Sequence, residues 1–267
     1  MRWIRYSTAT GPAYGILEDK RIWEVNGNPF TNYERTKKSI PLESVEVLIP
    51  VEPRTFYCVG LNYVNHIKDP SRIPPKPDIG YRANNALTAH KQPVIIPADA
   101  NKIHYEGELV VVIGKKARNL SMENALSCVL GYTIGNDVSE RNWQKEDRTF
   151  WRAKNSDTFK PMGPWIETEV DFSTMETSVR VNGTVTTQFR TADMLFSVEH
   201  FIAAMTRYIT LYPGDIIWMG TDGVSPDLKP GDIVDVEISG IGTLTSTFVA
   251  ADKNTLSNEQ QRAAGAL

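Results

Sequence analysis

The segment His104-Tyr105-Glu106-Gly107-Glu108-Leu109-Val110-Val111-Val112-Ile113-Gly114 decides how the chain is read. The unbroken apolar run from Leu109 to Ile113, mostly β-branched and closed by glycine, predicts a buried strand. Residues two apart in a strand share a face, so Glu106 and Glu108 present both carboxylates to one side at the strand's entrance. Two acids at the edge of a buried strand repel each other unless something neutralises them. A hard divalent cation does so, and oxygen ligands without cysteine or clustered histidine favour Mg²⁺, Mn²⁺ or Ca²⁺ over Zn²⁺. A third acid, Asp137, ends the apolar stretch Gly131-Tyr132-Thr133-Ile134-Gly135-Asn136 ahead of a predicted helix, and strand ends are where sites are usually built. On spacing alone a second reading stays open: the glutamates decorate a solvated strand edge and Asp137 caps the helix that follows.

Outward from this segment, the larger part of the chain reads as strands. Phe56 to Val59, Val94 to Ile96 and Ile216 to Met219 are short β-prone runs bounded by Gly, Pro or Asp. Residues 1–50 alternate pieces such as Ala13 to Leu17 and Arg21 to Val25 with Gly and Asn turns, which predicts a small N-terminal β-rich unit ahead of a catalytic domain at 51–251. The turns Tyr212-Pro213-Gly214-Asp215 and Leu228-Lys229-Pro230-Gly231-Asp232 each precede a β-prone run, the second being Ile233, Val234, Val236, Ile238. Two further helices are expected: Ser121 to Val129, and Ser197 to Ile209 with Val198, Phe201, Ile202, Met205 and Ile209 on one face. The polar tail at 252–267 is expected to be a short helix or frayed.

The 267 residues suffice for a sizeable core, and a net charge of −3 gives no electrostatic reason to expect nucleic acid or an anionic membrane as partner. A small molecule is the expected partner. The start, MRWIRYSTATGPAYG, has no apolar signal region and no stretch is long enough to span a bilayer, so a cytoplasmic protein is expected. The two cysteines, Cys58 and Cys128, sit in apolar stretches and read as buried thiols.

Taken together, Tyr105-Glu106-Gly107-Glu108-Leu109-Val110-Val111-Val112-Ile113-Gly114, then Gly131 to Gln144, then Gly220-Thr221, resemble the fumarylacetoacetate hydrolase superfamily over residues 54–249. The resemblance implies a β-rich α+β fold of rolled mixed sheets with few short helices, usually as a homodimer. It implies that Glu106, Glu108 and Asp137 hold Mg²⁺ or Mn²⁺ beside the oxo and enolate oxygens of a small oxoacid. Ala153-Lys154-Asn155-Ser156-Asp157-Thr158 matches the family's lysine segment, so Lys154 is the expected cation for a developing oxyanion. Arg141 and Gln144, three apart, match the pair that holds substrate oxygens, and a planar guanidinium suits a carboxylate. Thr221 matches the contact to the substrate carboxylate.

The segment Cys58-Val59-Gly60-Leu61-Asn62-Tyr63-Val64-Asn65-His66-Ile67-Lys68-Asp69 is similar to the family's G-x-N-Y-x-x-H element. Hydrolytic members carry a His and, three residues on, a Glu on a short lid helix, and His66 would be the base that activates water. Here the second position is Asp69, followed by Pro70. Two further departures are Arg82, where the family often has lysine in Phe-x-Lys-Pro, and Asp222-Gly223-Val224-Ser225-Pro226-Asp227 after Gly220-Thr221.

The reaction implied is hydrolytic carbon–carbon cleavage of an acylpyruvate or β-diketo acid, in aromatic-compound catabolism. Isomerisation, tautomerisation or decarboxylation of a 2-oxo acid on the same metal site is the alternative. A silent metal- or metabolite-binding protein is a third, set against the presence of Lys154, Arg141 and Gln144 beside three intact ligands.

Overall fold

A computed structural model describes residues 1–67 and 69–251, and the polar tail at 252–267 lies outside the described residues. The apolar run forms the strand Gly107–Ile113, buried along its whole length, near the centre of an 11-stranded mixed sheet. Val129–Asn136 flanks it on one side and Ile216–Trp218 on the other, both antiparallel. Phe56–Val59 runs parallel to Ile216–Trp218, and Ile79–Tyr81 closes that edge. In the other direction Lys160–Glu167 pairs with Val129–Asn136 and then with Arg2–Thr8. The hairpin strands Gly11–Glu18, Arg21–Gly27 and Tyr33–Pro41 continue from there, so the N-terminal residues extend the same sheet.

A five-stranded sheet, in the order Thr184–Arg190, Glu176–Val181, Ile233–Ile238, Gly242–Ala250, Pro93–Ile96, packs on one face of the larger one. Leu109, Val111 and Ile113 point into the core between the sheets with Val179, Val236, Leu244 and Phe248. Val110 and Val112 face the other way, against Phe56, Cys58, Ile216 and Trp218. Each such side chain contributes about 1.5–3 kcal/mol on burial. A slip of one residue would exchange the two faces and drive Glu106 and Glu108 into the inter-sheet core, so the register of the acid pair is fixed by the packing of the valines beyond it. Gly107 lies on the inter-sheet face, where a Cβ would come within 2.9 Å of both Val179 and Val236. Only glycine lets the second sheet close beneath the acids.

The fold is thus a β-rich α+β architecture with few helices. Val198–Thr206 is a helix that buries Val198, Phe201, Ile202 and Met205 as its periodicity requires. The helix expected over Ser121 to Val129 is not formed: only a 3₁₀ turn, Ala125–Cys128, precedes the strand Val129–Asn136. Asn124 makes no capping bond there, and pairing of Val129 with Ile113 draws the chain into the sheet instead. Cys58 and Cys128 are buried free thiols. Among the described residues no helix is long and apolar enough to cross a membrane.

Candidate active site

Antiparallel pairing sets Gly107 opposite Asn136, so the residue after Asn136 meets the acid pair. The Asp137 N–H donates to the Glu106 carbonyl at 2.8 Å, and the Asn136 side-chain oxygen accepts from the Glu106 N–H at 3.1 Å. One oxygen from each of Glu106, Glu108 and Asp137 lies within 4.8 Å of the other two, and all three residues are buried. Three carboxylates that offer oxygen donors only fit a hard divalent cation such as Mg²⁺ or Mn²⁺.

Four cations surround the triad. Lys154 Nζ meets Glu106 Oε2 and lies 3.1 Å from Asp137 Oδ2, while Arg141 Nη2 is 2.7 Å from Glu106 Oε1. Arg82 Nη2 is 2.9 Å from Asp137 Oδ2, and Lys160 Nζ is 2.7 Å from Asp137 Oδ1. Burial would raise all three carboxyls, and the cations reverse this for two of them. Lys154 and Arg141 bring Glu106 down to about 2, and Arg82, Lys154 and Lys160 hold Asp137 well below the usual carboxylate range. Among the described residues Glu108 has no cation in contact. Burial, then the charges of Asp137 and Glu106, push it up to about 8, although its Oε2 accepts from the Gly220 N–H at 2.8 Å. Burial brings Lys160 down to about 8, against the opposing pull of Asp137.

Arg141 opens the helix Arg141–Glu146, whose N-cap is the buried Glu140. Glu140 accepts from the Trp143 N–H and, at 2.7 Å, from the Lys102 N–H, fixing where that helix starts. One turn along the helix, Gln144 Oε1 accepts from Arg141 Nη1 at 2.8 Å, so these two expected contacts do meet. Thr221 is buried at the end of Ile216–Trp218, next to the Gly220 that binds Glu108.

His66 sits on a turn, not a helix, and no hydrogen bond or ion pair joins it to Asp69 among the described residues. Asp69 instead accepts from the Ser71 N–H and hydroxyl at 3.0 and 2.8 Å, capping the 3₁₀ turn Pro70–Arg72. Pro70 at the first position of that turn ends any helix through His66, so the His66–Asp69 pair expected on a lid helix is not formed in this structure. His66 Nδ1 lies 2.9 Å from the Gly223 carbonyl instead. Its turn is tied down by Asn62, which donates to the carbonyls of Met219 and Phe196, and by the Tyr63 hydroxyl on the Thr191 carbonyl.

Arg82 forms a wall. On its outer side opens a cleft of about 1050 Å³ lined by Tyr81, Ile95, Trp151 and Asn155, among others. None of Glu106, Glu108, His66, Arg141 or Gln144 lines it, so this cleft adjoins the triad through Arg82 without containing it.

Lys160, Glu140 and His104 escaped the sequence reading. A lysine in the apolar stretch Phe159-Lys160-Pro161-Met162 is itself a signal, since lysine is almost never fully buried without a partner. Nothing in the local sequence singles out Glu140, a glutamate at a helix start. His104, two residues ahead of Glu106, carries no signal in the local sequence for its contact with Arg141.

Residues 55–249 match the model of the fumarylacetoacetate (FAA) hydrolase C-terminal domain, and residues 1–50 match that of the Rv2993c-like N-terminal region. Protein Rv2993c of Mycobacterium tuberculosis is 40% identical over 265 residues, covering 95% of this chain and 100% of that one. The crystal structure of a 5-carboxymethyl-2-hydroxymuconate delta-isomerase from Mycobacterium smegmatis superposes with a TM-score of 0.87 at 36% identity, over 94% of this chain and 100% of that one. A mitochondrial oxaloacetate tautomerase, Fahd2a of Rattus norvegicus, is 35% identical over 79% of this chain and 71% of its own length. The carboxylate triad and its cations thus stand in a chain that belongs to the fumarylacetoacetate hydrolase family.

Proposed function

We propose that this chain is a divalent-metal-dependent tautomerase or isomerase of a small 2-oxo acid, moving a proton at the carbon beside the oxo group. One observation carries this reading over hydrolysis: among the described residues His66 has no carboxylate in contact, because Asp69 caps the turn beyond it. Proton transfer needs one base, whereas activating water for attack on a carbonyl is aided by a paired one. The isomerase and the oxaloacetate tautomerase among its relatives support the same choice.

Glu106, Glu108 and Asp137 would hold Mg²⁺ or Mn²⁺, which supplies Lewis-acid polarisation of the oxo group. Arg141, steadied by Gln144, binds the substrate carboxylate, and Thr221 at the neighbouring strand end adds a hydroxyl. Lys154 stabilises the negative charge that builds on the oxo oxygen, inside a buried site where a fixed cation counts for most. With the Nδ1 proton donated to the Gly223 carbonyl, His66 keeps Nε2 free. That nitrogen takes the proton from carbon and returns it to oxygen or to a conjugated carbon, so no atom enters or leaves. A homodimer is part of the same proposal.

The test is a panel of oxaloacetate, unsaturated 2-hydroxy diacids and acylpyruvates, followed in the ultraviolet with Mg²⁺ or Mn²⁺ and with chelator. Metal-dependent tautomer or double-bond change without pyruvate release supports the reading. Release of pyruvate and a carboxylic acid from acylpyruvates would make the chain a hydrolase, and cation binding with no turnover would make it a binding protein.

A further inference from the structure

Every kind of nitrogen in the Arg141 guanidinium has a partner. Nη2 meets Glu106 Oε1 at 2.7 Å, Nη1 donates to Gln144 Oε1 at 2.8 Å, and Nε donates to His104 Nδ1 at 3.1 Å. Nε and Nη1 each commit one N–H to a hydrogen bond and Nη2 meets Glu106 as an ion pair, which leaves N–H groups of the guanidinium for a ligand. A guanidinium only donates, so His104 Nδ1 must accept and the imidazole proton sits on Nε2. That nitrogen lies 2.7 Å from Asp227 Oδ1 and donates to it. Hydrogen bonds therefore link exposed Asp227 through His104 to Arg141, and an ion pair continues from Arg141 to Glu106.

A purely structural role for the Asp227–His104 bond would be to tie the 222–228 loop to the strand Ile103–His104. Other bonds already do this: Leu228 N–H donates to the Ile103 carbonyl at 2.8 Å, and Tyr105 N–H donates to the Ser225 hydroxyl at 3.1 Å. The bond is redundant for docking the loop, but the imidazole it orients is the only acceptor that Arg141 Nε meets among the described residues. The other end of the loop reaches the base. Asp222 accepts from Asn65 at 2.9 Å, and the Gly223 carbonyl holds His66.

We propose that His104, oriented by Asp227, is a positioning residue that sets the Arg141 guanidinium for the substrate carboxylate, which makes the 222–228 loop part of the specificity apparatus. The proposal rests on the assignment of Arg141 as the carboxylate contact in the reading above. Because the loop touches both Arg141, through His104, and His66, it links the carboxylate clamp to the base.

The experiment compares His104→Ala, His104→Asn and Asp227→Ala with the wild type by steady-state kinetics in the presence of Mg²⁺. The Arg141 Nε–H nuclear magnetic resonance signal, assigned by its loss in Arg141→Lys, is followed in parallel. Losing the orientation of one charge-assisted hydrogen bond to substrate is expected to raise KM about tenfold in His104→Ala, with kcat within about threefold. His104→Asn places an oxygen where Nδ1 stood, and is expected to return KM to within about threefold of wild type and to keep the Nε–H signal that His104→Ala loses. Asp227→Ala is expected to fall between them. A merely structural role would lower the melting temperature of both His104 variants without separating their KM values. An Nε–H signal unchanged in His104→Ala, or an unchanged KM in an active protein, overturns the proposal alone. If the wild type turns over no 2-oxo acid, the functional reading falls with its substrate contact, and the resonance still decides whether His104 orients Arg141.

Discussion

Lys160 Nζ lies 2.7 Å from Asp137 Oδ1 with its side chain wholly shielded from solvent, and it also donates to the carbonyls of Val138 and Phe159 at 2.9 and 3.0 Å. The lysine thus does two things: it neutralises a buried carboxylate and satisfies two backbone acceptors. Lys160→Met removes the charge and leaves three buried acceptors short of a partner. Because Asp137 keeps Arg82 and Lys154, the expected loss is about 3 kcal/mol, the low end for breaking a buried pair. Denaturant unfolding measures it, and Mg²⁺ should recover part of the loss by binding the folded form alone.

Glu108 gives the site a pH dependence. Its carboxyl is pushed up to about 8 from an ordinary value of 4.5, so between those limits the folded chain without metal holds one proton more than the unfolded chain. The contribution of this group to stability is therefore undiminished below pH 4.5, falls as pH rises towards about 8, and then levels off. Glu106 works in the opposite sense. Depressed to about 2, it stabilises fully above pH 4.5, and that contribution is lost as pH falls towards 2. A cation that takes the Glu108 carboxylate must displace its proton. Mg²⁺ affinity is expected to rise with pH up to about 8, with about one proton released per ion near pH 6.5. Calorimetry in buffers of different ionisation enthalpy reads this directly, and staying below about pH 7.5 keeps Lys160 charged.

Gly135 carries the packing beneath the site. A Cβ there would lie 2.6 Å from Cζ3 of Trp218, a fully buried ring on the strand that leads to Gly220 and Thr221. Gly135→Ala is expected to cost about 1–3 kcal/mol by overpacking, seen as a lower melting temperature. Displacing Trp218 also moves the Gly220 N–H from Glu108, so weaker Mg²⁺ binding should accompany the loss.

His66 and Asp69 should separate kinetically. Asp69→Ala removes a turn cap from the exposed Pro70–Arg72 segment and is expected to leave kcat within about threefold, whereas His66→Ala removes the proposed base and should cost about 10²–10⁴-fold. Equal losses in the two variants would show that the pair forms during turnover.

Much of this was legible in the sequence, and the reason differs from residue to residue. The alternation of Glu106, Gly107 and Glu108 ahead of an all-apolar strand dictates which face the acids take, because burial of the following valines allows one register only. Asp137 followed from the same logic one strand away. The helix expected over Ser121 to Val129 failed because sheet pairing at Val129 outweighs a weak local helical pattern. The His66–Asp69 pair failed because local turn chemistry, Asp69 capping Pro70 to Arg72, captured the carboxylate. Lys160 and His104 meet Asp137 and Arg141 only through sheet pairing and loop docking, which no short-range spacing encodes.

Solvent isotope exchange measures metal-assisted proton transfer at carbon directly. The protein, loaded with Mg²⁺ in deuterium oxide, is mixed with oxaloacetate or a related 2-oxo diacid, and the C3 protons are followed by nuclear magnetic resonance. Exchange much faster than in the buffer control is expected, abolished in Glu106→Ala and suppressed in His66→Ala, with no pyruvate formed. Exchange no faster than in buffer across the substrate panel, with Mg²⁺ bound at the triad, would contradict it.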